Sequence, residues 1–438
     1  MGDTSTKVAV VGAGNAGCLT ALHYAWHSRK NSRIDIELIY NPDLEPERAG
    51  QATMLDPPAL LYAATGTTWY KNPFHATMKS GILYEGWGKK QDEIFHEFPM
   101  DRMAMHFCPW EMQNHVLKSD LFKVTEADIK DINDVDADYV FDCRGTPDDV
   151  SPQNAYRELA NPTNAVILAK PNWDTLECSY SRHVATPDGW TFIVPSHPES
   201  PSHEYSVGYC YNSNITSKED AETNLLKQFD VEIRAHKEYK NYMSTKPADD
   251  DGRIFLNGNR LFFLEPLEST ATQVYLEWAK VVGESIFLKN CKLNKSVEGV
   301  KAYVHQIENF VQWHYQFGSK YDTPFWDYAK ELKVMAFDPI FDKVLRWSHK
   351  QNWHDVINTE YGGMCNFPPY GLWPASSFKR WAEGVGFVPK EPTDLKKLWI
   401  PTGAPHLDYT NKVVHDTFGD EMNLQKSDTP NPDSPWKA

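Results

Sequence analysis

Residues 263–270 read FLEPLEST and set two carboxylates, Glu265 and Glu268, three positions apart, with Ser269 and Thr270 directly behind. Apolar residues lead into Pro266, and a helical pattern starts at Thr270. A carboxylate held at such a break can polarise an electrophile or accept a proton from a reacting carbon. It can equally serve only the helix, by capping its first turn or complementing its dipole. Glu265, ahead of the proline, reads as the residue that holds the turn. Glu268, taken alone, reads first as an acid serving the helix N-terminus, with chemistry as the alternative.

A second chemical feature lies at the other end of the chain. Gly12, Ala13, Gly14, Asn15, Ala16 and Gly17 spell G-x-G-x-x-G between an apolar strand at 7–11 and a helical stretch at 18–29. In that pattern the first glycine permits the turn, the second lets backbone approach a pyrophosphate, and the third lets helix and strand pack closely. The helix N-terminus then faces the anion with free N–H groups. A tight βα turn without a ligand is the plain alternative. One part departs from the pattern: Tyr40 and Asn41 stand where an acid would hold the ribose, and Glu37 lies inside the second strand, pointing elsewhere.

These features need a scaffold. Residues 34–39 form a second strand and complete a βαβ opening. Residues 137–143, ADYVFDC, form another and end in Arg144-Gly145. Residues 165–168 are a short apolar strand. Residues 190–195 and 205–211 carry β-formers and belong to a second, more antiparallel sheet. Helices are predicted at 218–229 and from 270 to about 287. Val300, Tyr303, Ile307, Phe310, Val311 and His314 share one helical face, so the C-terminal third opens as helices. Beyond Gly384 the chain is rich in Pro, Lys and Asp, and residues 423–438 read as frayed or disordered.

Composition narrows the function. The 438 residues carry 41% hydrophobic and 24% charged side chains, the balance of a folded soluble protein. A net charge of −16 lacks the basic face that nucleic acid requires, and favours a small-molecule partner. No apolar run is long enough for a membrane span. The N-terminus enters a strand without a signal-peptide pattern, so a cytoplasmic location is expected. Seven cysteines with no C-x-x-C pair read as reduced thiols, and no metal site is expected. Fifteen tryptophans need either layered aromatic cores or a ring-lined pocket.

The strand 137–143 resembles the late strand of two-dinucleotide-fold flavoproteins, which favours FAD over NAD, and no second G-x-G-x-x-G is visible. Five segments, in order, resemble the flavin-dependent halogenases of the tryptophan-halogenase family. GNRLFFLEPLEST (258–270) resembles the family's strand–turn–helix element. HATMKSGILYEGW (75–87) resembles the segment holding its catalytic lysine, here Lys79. Gln51, Ala52 and Thr53 follow Gly50 as in its flavin-contacting GEAT loop, with Gln for Glu. GWTFIVP (189–195) resembles its W-x-W-x-I-P strand: Trp190 and Pro195 match, while Phe192 and Val194 are replacements. IENFVQWHYQFGSKYDTPFW (307–326) resembles one of its helical regions.

The resemblance implies an α/β (α+β) protein: a two-dinucleotide-fold FAD domain over 1–295, a mostly β substrate sheet inserted at about 75–130 and 171–245, and a helical region over 296–438. It implies reduced FAD, O2 and a halide ion (chloride, bromide or iodide), reacting through a flavin hydroperoxide to hypohalous acid. Lys79 would deliver the halogen, Glu268 would polarise it or take the proton lost from the arene, and Ser269 would orient Glu268. Backbone N–H groups of Thr270 and Ala271 would bind halide, although the family usually has Gly after the Thr. Asn259 and Thr272 would bracket the flavin. Trp190, Phe192 and Pro195 would wall substrate from flavin. A separate flavin reductase would be the partner and a small aromatic the substrate, with homo-oligomerisation left open. Because the chain is shorter at its C-terminal end than the tryptophan-specific members, a more open pocket is expected, using bromide and iodide at least as well as chloride. The alternatives are an aromatic hydroxylase and a non-catalytic flavin-binding relative.

Overall fold

The computed structural model describes residues 5–29, 33–98, 104–288, 292–332, 339–351 and 370–387. The segment expected to fray, 423–438, lies outside them.

The N-terminal strand Thr6–Val11 is buried along its apolar run, as a strand covered on both faces must be. It is the centre of a five-stranded, all-parallel sheet in the order Ile254–Leu256, Tyr139–Asp142, Thr6–Val11, Ile34–Tyr40, Lys123–Glu126. Helix Asn15–Ser28 follows the glycine turn and is buried almost all round. It lies against helix Ala271–Gly283, where the Tyr24 hydroxyl donates to the Ala279 carbonyl at 2.7 Å. This is the nucleotide-binding arrangement the βαβ opening predicts.

The second sheet has seven strands, in the order Val231–Glu238, Ala165–Pro171, Val207–Tyr211, Gly189–Ile193, Ser181–Thr186, Gly81–Glu85, Glu93–Glu97. Every pairing is antiparallel except Gly81–Glu85 with Ser181–Thr186. Its strands come from two stretches of chain, residues 81–97 and 165–238, beside an expected 75–130 and 171–245. Lys123–Glu126 pairs with Ile34–Tyr40 in the parallel sheet instead. Ala165–Pro171 is longer than its apolar core predicts, because an irregularity between Leu168 and Ala169 lets it continue against Val231–Glu238.

A third sheet is a short three-stranded ribbon. Ala104–Phe107 pairs on one side with Gln51–Ala52 and on the other with Thr77–Lys79. Helix Ala271–Gly283 runs on into a π-helical turn at Glu284–Leu288, where a plain helix was expected. Helix Leu293–Gln316 buries the predicted face, His314 included. Pro324–Glu331, Pro339–Ser348 and Ala375–Val385 complete the helical region. One continuous apolar core runs from Val8 through Trp190 and Trp278 to Trp381. The tryptophan excess is mostly here, with Trp87, Trp190, Trp278, Trp313, Trp326 and Trp373 fully buried.

Candidate active site

The glycine turn has the geometry its spacing predicts. Gly12 has φ +103°, and a Cβ there would lie 2.4 Å from the Cys143 carbonyl oxygen. A Cβ on Gly17 would lie 1.7 Å from the Gly12 carbonyl, so only glycine lets this helix sit so close to its strand. A Cβ on Gly14 meets nothing within 4 Å. Gly14 caps the helix without a side-chain hydrogen bond, and the first turn carries no acid. Open space before an uncapped helix N-terminus suits a diphosphate.

The other expected cofactor residues converge here. Asn15 Nδ2 donates to Gln51 Oε1 at 2.6 Å, tying Asn15 to the loop of Gln51, Ala52 and Thr53. Thr53 exchanges hydrogen bonds with Met105. Gln113 Nε2 donates to the Ala13 carbonyl at 2.9 Å. A Cβ on Gly258 would meet the Ala16 methyl at 2.8 Å, so the turn carrying Asn259 lies directly on the helix start. Asn259 is held by Tyr242 and Tyr275 hydroxyls. Asn15 Oδ1 and Thr272 Oγ1 are buried without partners. Orphaned polar atoms around a cradle kept free of Cβ atoms fit a polar, diphosphate-bearing cofactor such as FAD. As expected, Glu37 is engaged elsewhere, accepting from Thr125 and Lys123.

Lys79 ends the Thr77–Lys79 strand and is fully buried. Its Nζ donates to Ser269 Oγ at 2.8 Å and lies 5.1 Å from the centre of the Phe98 ring. Burial pushes its pKa down from 10.5 to about 7, against the opposing pull of Glu268. Lys79 is therefore poised between ammonium and free amine at neutral pH.

Glu268 is buried beside it. Tyr84 donates its hydroxyl proton to Glu268 Oε1, His314 Nε2 lies 3.0 Å from the same oxygen, and Trp373 Nε1 donates to Oε2 at 3.1 Å. His96 Nδ1 stands 3.7 Å away. Burial alone would raise this carboxyl, but His96 and His314 hold it well below the usual range. Ser269, expected to orient Glu268, does not: its hydroxyl serves Lys79, and Tyr84, His314 and Trp373 orient the carboxylate. Glu265 accepts from Thr163 at 2.5 Å, Tyr315 at 2.6 Å and Trp190 at 3.1 Å. It ties the turn to the sheet and has no oxygen free for chemistry.

Thr270 caps helix Ala271–Gly283, whose first turn has no side-chain cap and no acid. Its opening N–H groups are those a helix leaves without carbonyl partners. Trp190 and Phe192 are buried on strand Gly189–Ile193 of the seven-stranded sheet, and Pro195 is buried two residues beyond its end. Phe192 needs Gly208 opposite it, since a Cβ there would sit 2.0 Å from the Phe192 ring. The Pro195 carbonyl accepts from Thr77, two residues before the lysine.

Aromatic rings gather around Glu268 and its partners. Trp373 stacks on Phe310 at 3.9 Å, and Trp381 lies 4.1 Å from the His314 ring and 4.9 Å from that of Tyr84. These rings cover Glu268. Elsewhere, His75, His197 and Glu199 lie close enough to share a cation. They are already engaged with one another and with Glu111, which accepts from His75 Nδ1 at 2.6 Å, while His197 Nδ1 accepts the Glu199 N–H. The described cysteines, 18, 108, 143, 178 and 210, are free. No helix among the described residues is long and apolar enough to cross a membrane.

Sequence reasoning missed Tyr84, His96, His183 and Trp373. Tyr84 and His183 become neighbours only through strand register, which pairs them directly. His314 left one signal, a polar residue on an apolar helical face.

A family model described as tryptophan halogenase matches residues 7–115 and 111–398. Tryptophan 7-halogenase RebH of Lentzea aerocolonigenes is 21% identical over 258 residues, 57% of this chain and 46% of its own. Tryptophan 6-halogenase ThaL of Streptomyces albogriseolus is 24% identical over 244 residues, 52% and 44%. The chain thus spans about half the length of the curated relatives it matches. Among solved structures, a tryptophan halogenase from Shewanella frigidimarina superposes with TM-score 0.69 at 15% identity, covering 94% of both chains. BrvH, a flavin-dependent halogenase from Brevundimonas sp. BAL3, gives 0.69 at 16%, covering 96% and 97%. At these identities the likeness is one of fold.

Proposed function

This chain belongs to the tryptophan halogenase family, and from that premise we propose that it halogenates an electron-rich arene through Lys79. The observation that carries the reading is a sealed pair: a lysine with its pKa near 7 and a carboxylate kept ionised, both buried under aromatic rings.

Reduced FAD and O2, supplied with halide, would provide the two-electron oxidant that turns halide into hypohalous acid. Residues 12–17, Gln51, Ala52, Thr53, Asn259 and Thr272 would hold the cofactor. The N-terminus of helix Ala271–Gly283, with Thr270 and Ala271, would hold the halide.

The Lys79 amine attacks the halogen of HOX: an N–X bond forms, the O–X bond breaks, and the displaced hydroxide leaves as water with an amine proton. The arene carbon then takes the halogen as the N–X bond breaks, and the ring proton restores the amine. Burial supports this by making the free amine available near pH 7. Glu268, too acidic and too fully bonded to be a base, offsets the positive charge that develops on the ring. Ser269 fixes the lysine. Trp190, Phe192 and Pro195 keep substrate from the cofactor.

The substrate class is phenols, indoles and comparable activated arenes, with bromide and iodide used at least as well as chloride. A separate flavin reductase supplies the reduced cofactor. Incubation with an unrelated flavin reductase, O2, an arene panel and each halide in turn tests the reading. A halide-dependent mass shift, lost in Lys79→Ala, is expected. Hydroxylated product formed without halide would show a monooxygenase instead.

A further inference from the structure

We propose that His183 recognises the substrate's ring substituent, its Nδ1 accepting a hydrogen bond from the O–H of a phenol or the N–H of an indole. The proposal rests on the halogenase reading and names the chemistry by which that site selects its arene.

Four histidines surround Lys79 and Glu268, and three of them are used. His106 bonds Thr77 through Nδ1 at 3.1 Å and Ser181 through Nε2 at 2.9 Å. His314 faces the Phe310 carbonyl through Nδ1 at 2.7 Å and Glu268 through Nε2. His96 bonds Ser377 through Nε2 at 2.6 Å and turns Nδ1 towards Glu268. His183 differs: its side chain is buried, and Nδ1 has no partner.

Its position is set by the sheet. Register places His183 between Tyr84 and Phe192 on neighbouring strands, so all three side chains share one face. The ring lies 4.8 Å from that of Trp190 and 5.3 Å from that of Tyr84. The Trp87 indole N–H fixes its backbone by donating to the His183 carbonyl at 3.0 Å. A second buried orphan, Trp381 Nε1, lies across the same Tyr84 ring. Two unpartnered polar atoms flanking one ring mark the place where something polar binds.

Neutral and carrying its one proton on Nε2, the imidazole accepts at Nδ1. Burial, and then the charge of Lys79, hold His183 well below its ordinary range. A buried acceptor left unpaired is costly to the folded chain. A substrate bearing a donor removes that cost, and one lacking a donor does not, which is how such sites discriminate. The same hydrogen bond pushes electron density into the ring carbons that an electrophilic halogen attacks, so selection and activation coincide.

The test is calorimetric binding of indole and of 1-methylindole to the full chain, without flavin or halide. Wild type is expected to bind indole at least about tenfold more tightly. His183→Phe keeps the ring's bulk and removes the nitrogen, so it should abolish the difference. His183→Gln retains an acceptor and should restore part of it. A preference that survives in His183→Phe is steric and overturns the proposal, as does a wild type that binds both equally or neither. Halogen incorporation is assayed separately. Indole preference without halogenation sinks the functional reading and leaves His183's role standing, and halogenation without preference does the reverse.

Discussion

The Nζ of Lys79 donates to the Oγ of Ser269 at 2.8 Å, joining residues 190 positions apart in the chain. Ser269 makes this contact from a left-handed backbone, φ +55°. A non-glycine residue there stores about 1–3 kcal/mol of strain. Ser269→Gly should therefore unfold at a higher temperature than Ser269→Ala, while both lose the hydroxyl and fall by roughly tenfold or more in kcat. Equal melting temperatures would remove strain from the account. Full activity in both would remove the hydroxyl.

The rate should follow the amine. With Lys79 near 7, kcat/KM for halogenation should rise about tenfold per pH unit below that value and level off above it. The profile needs reduced flavin in excess, so that the reductase does not shape it. A rate that is flat from pH 6 to 8, or falls across that range, contradicts a free-amine nucleophile.

Stability should show the cost of the same burial. Between about 7 and the ordinary 10.5, the unfolded chain binds a proton at Lys79 that the folded chain does not. Stability should thus rise with pH across that window, by up to ~1.4 kcal/mol per unit. Below about 7 both states are protonated and the penalty is fully present. Lys79→Met should melt higher than wild type at neutral pH, lose this slope, and lose halogenation. Urea melts at pH 7 and 9 on both proteins check it.

Gly14 and Gly17 should fail differently. A methyl at position 14 enters open space, so Gly14→Ala should fold normally and bind FAD at least about tenfold more weakly, as read by flavin fluorescence. A methyl at position 17 meets backbone, and Gly17→Ala should cost about 3 kcal/mol or more. Unchanged FAD affinity in Gly14→Ala would place the diphosphate elsewhere.

Removing the cover should widen the substrate range. Trp381→Ala deletes a buried indole at a cost of about 3–5 kcal/mol. It also uncovers the ring cluster over Glu268. Relative kcat/KM for a bulky arene over phenol should rise roughly tenfold. An unchanged ratio means the substrate enters by another route.

Local chemistry was the most legible in sequence. The glycine turn stood out because a backbone requirement restricts what can occupy it, whereas Lys79 and Glu268 stood out through the family resemblance of the segments that carry them. Strands 6–11 and 139–142 were legible from their short apolar runs, and 34–40 from the alternation of IDIELIY. What escaped depends on register. Tyr84 and His183 are 99 positions apart and meet only because two strands pair in one alignment. Ser269's partner escaped for a different reason: a positive φ turns its hydroxyl away from its sequence neighbour and towards the lysine. Trp373 stands in the bend ahead of helix Ala375–Val385, where nothing in the sequence says which residue it covers.

The strand Ala104–Phe107 pairs with Gln51–Ala52 on one edge and Thr77–Lys79 on the other. The spacing between the cofactor-side loop and the lysine is therefore a ruler made of main-chain hydrogen bonds, the same whatever side chains line the pocket. Under the proposed function, rings around an arene could be exchanged while the distance from that loop to Lys79 stays the same. Substrate choice and oxidant delivery would then be separable inheritances in this architecture: a changed pocket would leave the spacing to the lysine as it was.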